Sequence, residues 1–225
     1  MCSAVPGVDA RLVWKGVHLD RRLTPINGQV GGAAGVTEYL WHGLGFGGSC
    51  FPKDVAALRS FGRTVGEQTR MLDAVLDINT DQPLRMVALL EKELSLAGKT
   101  VAVLGLAFKP GTDDLRESPA LPLVAELRKK GAKVLVHDPI AMPHAKKRPE
   151  FRDVVFAEDW AEALRKSDAC CLVTAWPEYR NIQPTNFQKL MTRALVIDGR
   201  GVFEPAAMAA AGVVWRGVGY TPEST

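Results

Sequence analysis

Apolar positions at helical spacing dominate the first hundred residues. Val8, Leu12, Val13 and Val17 predict a short helix and its exit within residues 1–23. Residues 24–38, rich in glycine and carrying Pro25, read as a loop. A second glycine-dense stretch, YLWHGLGFGGSCFPKD, leads into a helix, with Pro52 in its first turn and Val55, Leu58 and Phe61 along one side. From Glu67 to Ser95 a stripe of Met71, Leu72, Val75, Ile78, Met86, Val87, Leu90 and Leu94 predicts one long helix. Pro83 either kinks it or marks a second helix after Asn79. A helix of that length in a short chain calls for a packing partner, and a homodimer is the expectation.

After Gly98 the pattern changes. KTVAVLGLAF, KVLVHDP, ACCLVTAW, ALVIDGR and VVWRGVG are short apolar strands. Helices alternate with them: SPALPLVAELRKKGAK, capped by Ser118 with Pro119 first, then Trp160–Lys166, TNFQKLM and PAAMAAAG. Strands apolar on both faces, alternating with helices, predict a doubly wound parallel sheet of Rossmann-like type. The expected fold is therefore α/β: a helical central and dimerisation region over residues 1–97, then a Rossmann-like domain over 98–225.

Composition narrows the classes. With 225 residues, 47% apolar and 24% charged, the chain reads as an ordinary soluble globular protein. A net charge of +3 attracts anionic ligands mildly and does not point to nucleic acid. Apolar runs are too short for a membrane span, and the N-terminus has no signal-peptide core. The four cysteines form no CxxC and the four histidines are scattered, so no metal site is expected. Cys170 and Cys171 sit in an apolar strand and read as packing residues. A reduced, cytoplasmic protein is the expectation.

Chemistry concentrates in GFGGSCFPKD, residues 45–54. Glycines on both sides of Cys50 let a substrate approach its sulfur closely. The following helix start aims its amides back at that sulfur, and Lys53 adds a positive charge, both favouring an anionic nucleophile. Asp54 is placed to act as a base or to orient a water.

This motif resembles the active-site segment of UDP-glucose 6-dehydrogenases, in the UDP-glucose/GDP-mannose dehydrogenase family. GLAFKPGTDDLRESPA at 105–120 is similar to a second signature of that family. NTDQ at 79–82, DGR at 198–200 and TAW at 174–176, with Ala175 where an acid is usual, resemble further segments. FPKD leans toward UDP-glucose rather than GDP-mannose. The resemblance implies oxidation of the C6 alcohol of a UDP-sugar to the acid, with two molecules of NAD. Cys50 would trap the aldehyde as a thiohemiacetal and then carry the thioester that water hydrolyses. Asp54 would assist proton movement around that water.

By the same resemblance, Arg22 would reach the substrate of a neighbouring subunit. Tyr39 and the backbone from Leu40 through Gly45, Phe46 and Gly47 would hold the nucleotide sugar. Phe108, Lys109 and Arg200 would contact the sugar nucleotide, and Arg116 the NAD. The family's N-terminal dinucleotide-binding domain has no counterpart in the chain. GQVGGAAG at 28–35 follows no strand and GLGFGG at 43–48 runs into Cys50, so neither is its fingerprint. The chain thus reads as the C-terminal two-thirds of such an enzyme, expected to be inactive alone. Alternatives are a non-catalytic dimeric UDP-sugar-binding module, a truncated remnant, or an unrelated α/β thiol enzyme using Cys50.

Overall fold

The computed structural model describes residues 2–20 and 41–220. The first helix, α1 (Ala10–His18), is capped by Asp9, whose carboxylate accepts the Arg11 N–H at 2.8 Å. The Arg11 guanidinium pairs with the same carboxylate and donates to the Phe203 carbonyl at 3.1 Å. Asp9 also forms an antiparallel bridge with Tyr220, so the start of the chain is stitched to its far end.

Three helices follow: α2 (Phe51–Thr64), α3 (Arg70–Asp81) and α4 (Leu84–Glu91). The apolar stripe is thus carried by two helices rather than one. Pro83 takes the N-cap of α4, where its missing N–H costs nothing. The break redirects the chain. Met86, Val87 and Leu90 of α4 are buried in the core beneath the sheet, whereas Met71 and Ile78 of α3 stay exposed.

The sheet has six strands rather than the expected five: β1 (Thr100–Leu104), β2 (Lys133–His137), β3 (Val155–Phe156), β4 (Ala169–Leu172), β5 (Leu195–Asp198) and β6 (Val214–Gly217). All pairs are parallel, in the order β3-β2-β1-β4-β5-β6. The additional strand, β3, is a two-residue edge with Val155 exposed, too short to leave a pattern in the sequence. Helices α5 (Ala120–Lys129), α6 (Met142–Ala145), α7 (Trp160–Leu164), α8 (Pro177–Arg180), α9 (Pro184–Leu190) and α10 (Pro205–Ala210) connect the strands. Helix α5 starts one residue later than expected; Ser118 Oγ accepts the Ala120 N–H at 3.2 Å and donates to the Leu106 carbonyl at 2.6 Å. Cys170 and Cys171 of β4 are fully buried, as packing residues.

Strand order reverses between β1 and β4, and in such sheets ligands bind outside the C-terminal strand ends at that point. The turns leaving both strands are tied together here. Buried Asp138, just after β2, accepts the N–H groups of Leu106 and Ala107 and the Trp176 indole N–H. Gly105, at φ 95°, packs directly on Thr174. Among the described residues no helix is long and apolar enough to cross a membrane.

Candidate active site

The glycine loop lies between α3 and the segment that follows β1. Leu44 anchors it, 1% exposed. On the α3 side, Gln82 Nε2 donates to the Gly43 carbonyl at 2.8 Å. Asn79 Oδ1 accepts the Phe46 N–H at 2.7 Å, while its Nδ2 donates to the Phe46 carbonyl at 3.0 Å. On the other side the Gly48 N–H donates to the Arg116 carbonyl at 2.9 Å. The glycines answer to these contacts. A Cβ on Gly48, at φ 81°, would stand 2.9 Å from the Phe108 ring, and one on Gly47 would overlap the Glu117 carbonyl.

Cys50 occupies the N-cap of α2 and is exposed. Its carbonyl accepts the Asp54 N–H at 2.8 Å, and Ser49 Oγ lies 3.8 Å from its sulfur. Two cations flank it. Lys53 pairs with Asp54 at 3.0 Å, and Arg116 holds Asp114 through two parallel N–H donors at 3.0 and 2.7 Å. Hydrogen bonding to these carboxylates raises the pKa of both cations, and the Cys50 charge adds in the same direction. The Arg116 pairing holds Asp114 below the usual carboxylate range.

Two clefts border the loop. One, of about 660 Å³, is lined by Gly48, Ser49, Lys53, Asp77, Thr80 and Arg116. The other, of about 400 Å³, is lined by Trp41, His42, Phe46, Asn79, Gln82 and Arg200. Both fall in the size range of small-molecule sites. They meet different faces of α3: Asp77 and Thr80 turn to the first, Asn79 and Gln82 to the second.

Arg200 is held from the end of β5. Its Nε donates to the Val173 carbonyl at 2.7 Å, and burial pushes the guanidinium down to about 10, against the pull of Asp198. Asp198 is fully buried and accepts the backbone N–H groups of Arg200, Val202 and Phe203. Burial still raises the pKa of its carboxyl. Nearby, His42 Nδ1 is buried with no hydrogen-bond partner, and desolvation lowers the imidazole pKa.

Gly45, Phe46, Gly47, Cys50, Phe108 and Arg116 therefore gather around one loop. Lys109 is exposed, its ammonium 5.5 Å from the centre of the Phe108 ring. Arg200 and Arg116 line different clefts. The Asp54 carboxylate is exposed and engaged by Lys53. Arg22, Tyr39 and Leu40 lie outside the described residues. Reading the sequence for reactive groups passed over His42 and Asp138, and took Asn79, Gln82 and Asp198 only as parts of the NTDQ and DGR segments, without a role of their own. Among the described residues no cluster of potential metal ligands occurs.

Comparison with known proteins adds to this geometry. Residues 1–81 match the central domain of the UDP-glucose/GDP-mannose dehydrogenase family, and residues 102–205 match that family's UDP binding domain. UDP-glucose 6-dehydrogenase TuaD of Bacillus subtilis is 36% identical over 97% of this chain and 45% of its own length. UDP-glucose 6-dehydrogenase AglM of Haloferax volcanii is 42% identical over 87% of the chain and 42% of its own. A solved UDP-glucose dehydrogenase from the archaeon Pyrobaculum islandicum superposes with a TM-score of 0.80 at 36% identity, over 98% of this chain and 46% of that one. An NDP-N-acetyl-D-galactosaminuronic acid dehydrogenase from Methanosarcina mazei superposes with a TM-score of 0.78 at 28% identity, over 98% of this chain and 46% of that one. The chain spans less than half the length of these relatives, rather than the two-thirds expected from the sequence.

Proposed function

The chain belongs to the UDP-glucose/GDP-mannose dehydrogenase family, and from that premise we propose that it is the sugar-handling half of a UDP-sugar 6-dehydrogenase of the UDP-glucose to UDP-glucuronate type. The observation that carries this reading is the setting of Cys50. An exposed thiol stands at a helix N-terminus, on a loop pinned from two sides, between clefts of ligand size.

In this reading the UDP-sugar lies along the glycine loop with its C6 carbon at the Cys50 sulfur. Phe46 and the loop backbone grip the sugar nucleotide, with Phe108, Lys109 and Arg200 as further contacts. Arg22, Tyr39 and Leu40 are assigned to the same ligand. At the aldehyde level the Cys50 thiolate forms a C–S bond, and the carbonyl oxygen takes up a proton to give a thiohemiacetal. Once that carbon reaches the acid level, water attacks it and sulfur departs, releasing the carboxylate and restoring the thiol. Asp54, in the first turn of α2, is assigned to the protons of that water.

The oxidations need a two-electron acceptor, which the family resemblance makes NAD. The described residues do not build its site. A dinucleotide fold needs a glycine turn running from β1 straight into a helix with free amides. Here α5 begins only at Ala120, and Asp138 already occupies the N–H groups of Leu106 and Ala107. Arg116 is the residue we assign to an NAD contact, the rest of that site lying elsewhere. The chain alone is accordingly expected to bind without turning over. The same observation favours the second reading, a UDP-sugar-binding module that does no chemistry.

We also propose a division into residues 1–97 and 98–225, with α4 as the connection, and a cytoplasmic homodimer formed through α3. Exposed Phe61, Met71 and Ile78 supply the apolar surface for that contact. Monomer mass at high concentration in sedimentation would rule the dimer out. Calorimetric titration with UDP, UDP-glucose and NAD tests the main reading. Binding of UDP-glucose without NAD is the expected result, and binding of none would overturn it.

A further inference from the structure

The carboxamides of Asn79 and Gln82 reach the glycine loop from α3. Asn79 lies in the last turn of that helix and Gln82 is its C-cap, three residues on and therefore on the same face. Asn79 meets both polar groups of Phe46, at 2.7 and 3.0 Å, and Gln82 meets the Gly43 carbonyl at 2.8 Å. Between them Gly45 sits at φ 87°, where a Cβ would overlap Asn79 Oδ1. A residue carrying a side chain would strain the backbone there and push the amide away.

This is more than incidental satisfaction of loop groups. Phe46 is half-buried and its peptide could bond water instead. Asparagine is also a poor helix former, so its place inside α3 calls for a compensating role. A carboxamide offers one donor and one acceptor side by side, whereas aspartate lacks the donor and leucine lacks both. The held residue is linked to the nucleophile. The Phe46 ring meets Phe51 edge-on, 6.1 Å between centres and 74° between planes, and Phe51 follows Cys50 directly.

We propose that Asn79 and Gln82 are positioning residues for the nucleophile loop. Their amides set the Gly43–Phe46 backbone, and through Phe46 and Phe51 they set where the Cys50 sulfur stands relative to the start of α2. The inference rests on Cys50 being the reactive thiol of the proposed function, but its test needs no turnover.

The test is site-resolved alkylation of the whole chain by iodoacetamide between about pH 6 and 9, where thiols ionise. Wild type is compared with Asn79→Asp, Asn79→Ala and Gln82→Ala, and Cys2 serves as the internal reference. Both Asn79 variants are expected to slow Cys50 about threefold or more at neutral pH and to move its pH–rate midpoint upward, with Cys2 unchanged. Gln82→Ala removes one half-buried bond and is expected to shift Cys50 in the same direction by less. Cys50 rates that match wild type in all three variants overturn the proposal. Amide exchange of the 43–49 peptide judges the clamp separately: faster exchange in the variants supports it, and unchanged exchange counts against it. Wild-type Cys50 reacting no faster than Cys2 would instead sink the functional reading, leaving the exchange result to decide the clamp.

Discussion

Gly47 lies directly against the backbone carbonyl of Glu117, leaving no room between them for a methyl group. Glu117 is itself in the left-handed region, at φ 51°, an uncommon conformation for a side chain of its kind. The two signature segments, far apart in sequence, thus meet backbone to backbone. Gly47→Ala is expected to destabilise the fold by about 1–3 kcal/mol, seen as a melting temperature lower by about 2–4 °C per kcal/mol. UDP-glucose affinity should fall with it, since the loop must retreat from the 105–120 segment. An unchanged melting temperature and affinity would mean that the contact is loose in solution.

The cysteines should separate by reactivity. Cys50 is exposed and Cys2 half-buried, whereas Cys170 and Cys171 are fully buried. Burial also pushes both strand thiols far above the usual range, so they stay protonated and shielded. Native iodoacetamide treatment followed by peptide mass analysis should modify Cys50 and Cys2 alone. Labelling of Cys170 before unfolding would contradict this packing.

Arg200 should matter more to binding than to folding. Its side chain contributes the bond to the Val173 carbonyl, while Asp198 keeps its backbone donors without it. Arg200→Ala is expected to weaken UDP binding by about tenfold or more, the worth of one charge-assisted hydrogen bond. Its melting temperature should shift little. Calorimetric titration reads the first effect and thermal melting the second; equal UDP affinity in the variant would remove Arg200 from the site.

A pH dependence follows from His42. Its folded pKa lies below the ordinary 6.5, with burial the main cause and the Arg11 and Arg200 charges adding to it against Asp9. A depressed folded pKa means that the unfolded chain takes up the proton first. The stability this neutral histidine preserves is therefore complete above about pH 6.5 and is lost as pH falls below that value. His137 is shifted the same way and adds to the effect. His42→Gln should reduce, without abolishing, the fall in melting temperature between about pH 7 and 5. A variant whose melting curve follows wild type at every pH would show that His42 is accessible to water.

Much of this architecture was legible in the residues. Strands such as VAVL and ACCL are apolar on both faces, which only a sheet covered on both sides accommodates. The glycine-flanked Cys50 before Pro52 likewise announced a loop entering a helix. What escaped was non-local or very short. Strand β3 has two residues, and the break at Pro83 left two outcomes open until packing chose. Asp138 gave no signal in the sequence, because the Leu106, Ala107 and Trp176 donors it collects come from other turns, whereas Asp198 gathers the amides of its own turn, Arg200, Val202 and Phe203.

Periodicity and local chemistry determined the element types, the helical-then-α/β order and the identity of the candidate nucleophile, because each depends on neighbours within a few residues along the chain. The tertiary structure alone decided that α4 leaves the helical stripe for the sheet's core, that Glu117 stands under Gly47, and that Asn79 holds Phe46. Those relationships join residues tens of positions apart. Their hydrogen bonds and close approaches exist only once burial has brought distant segments together.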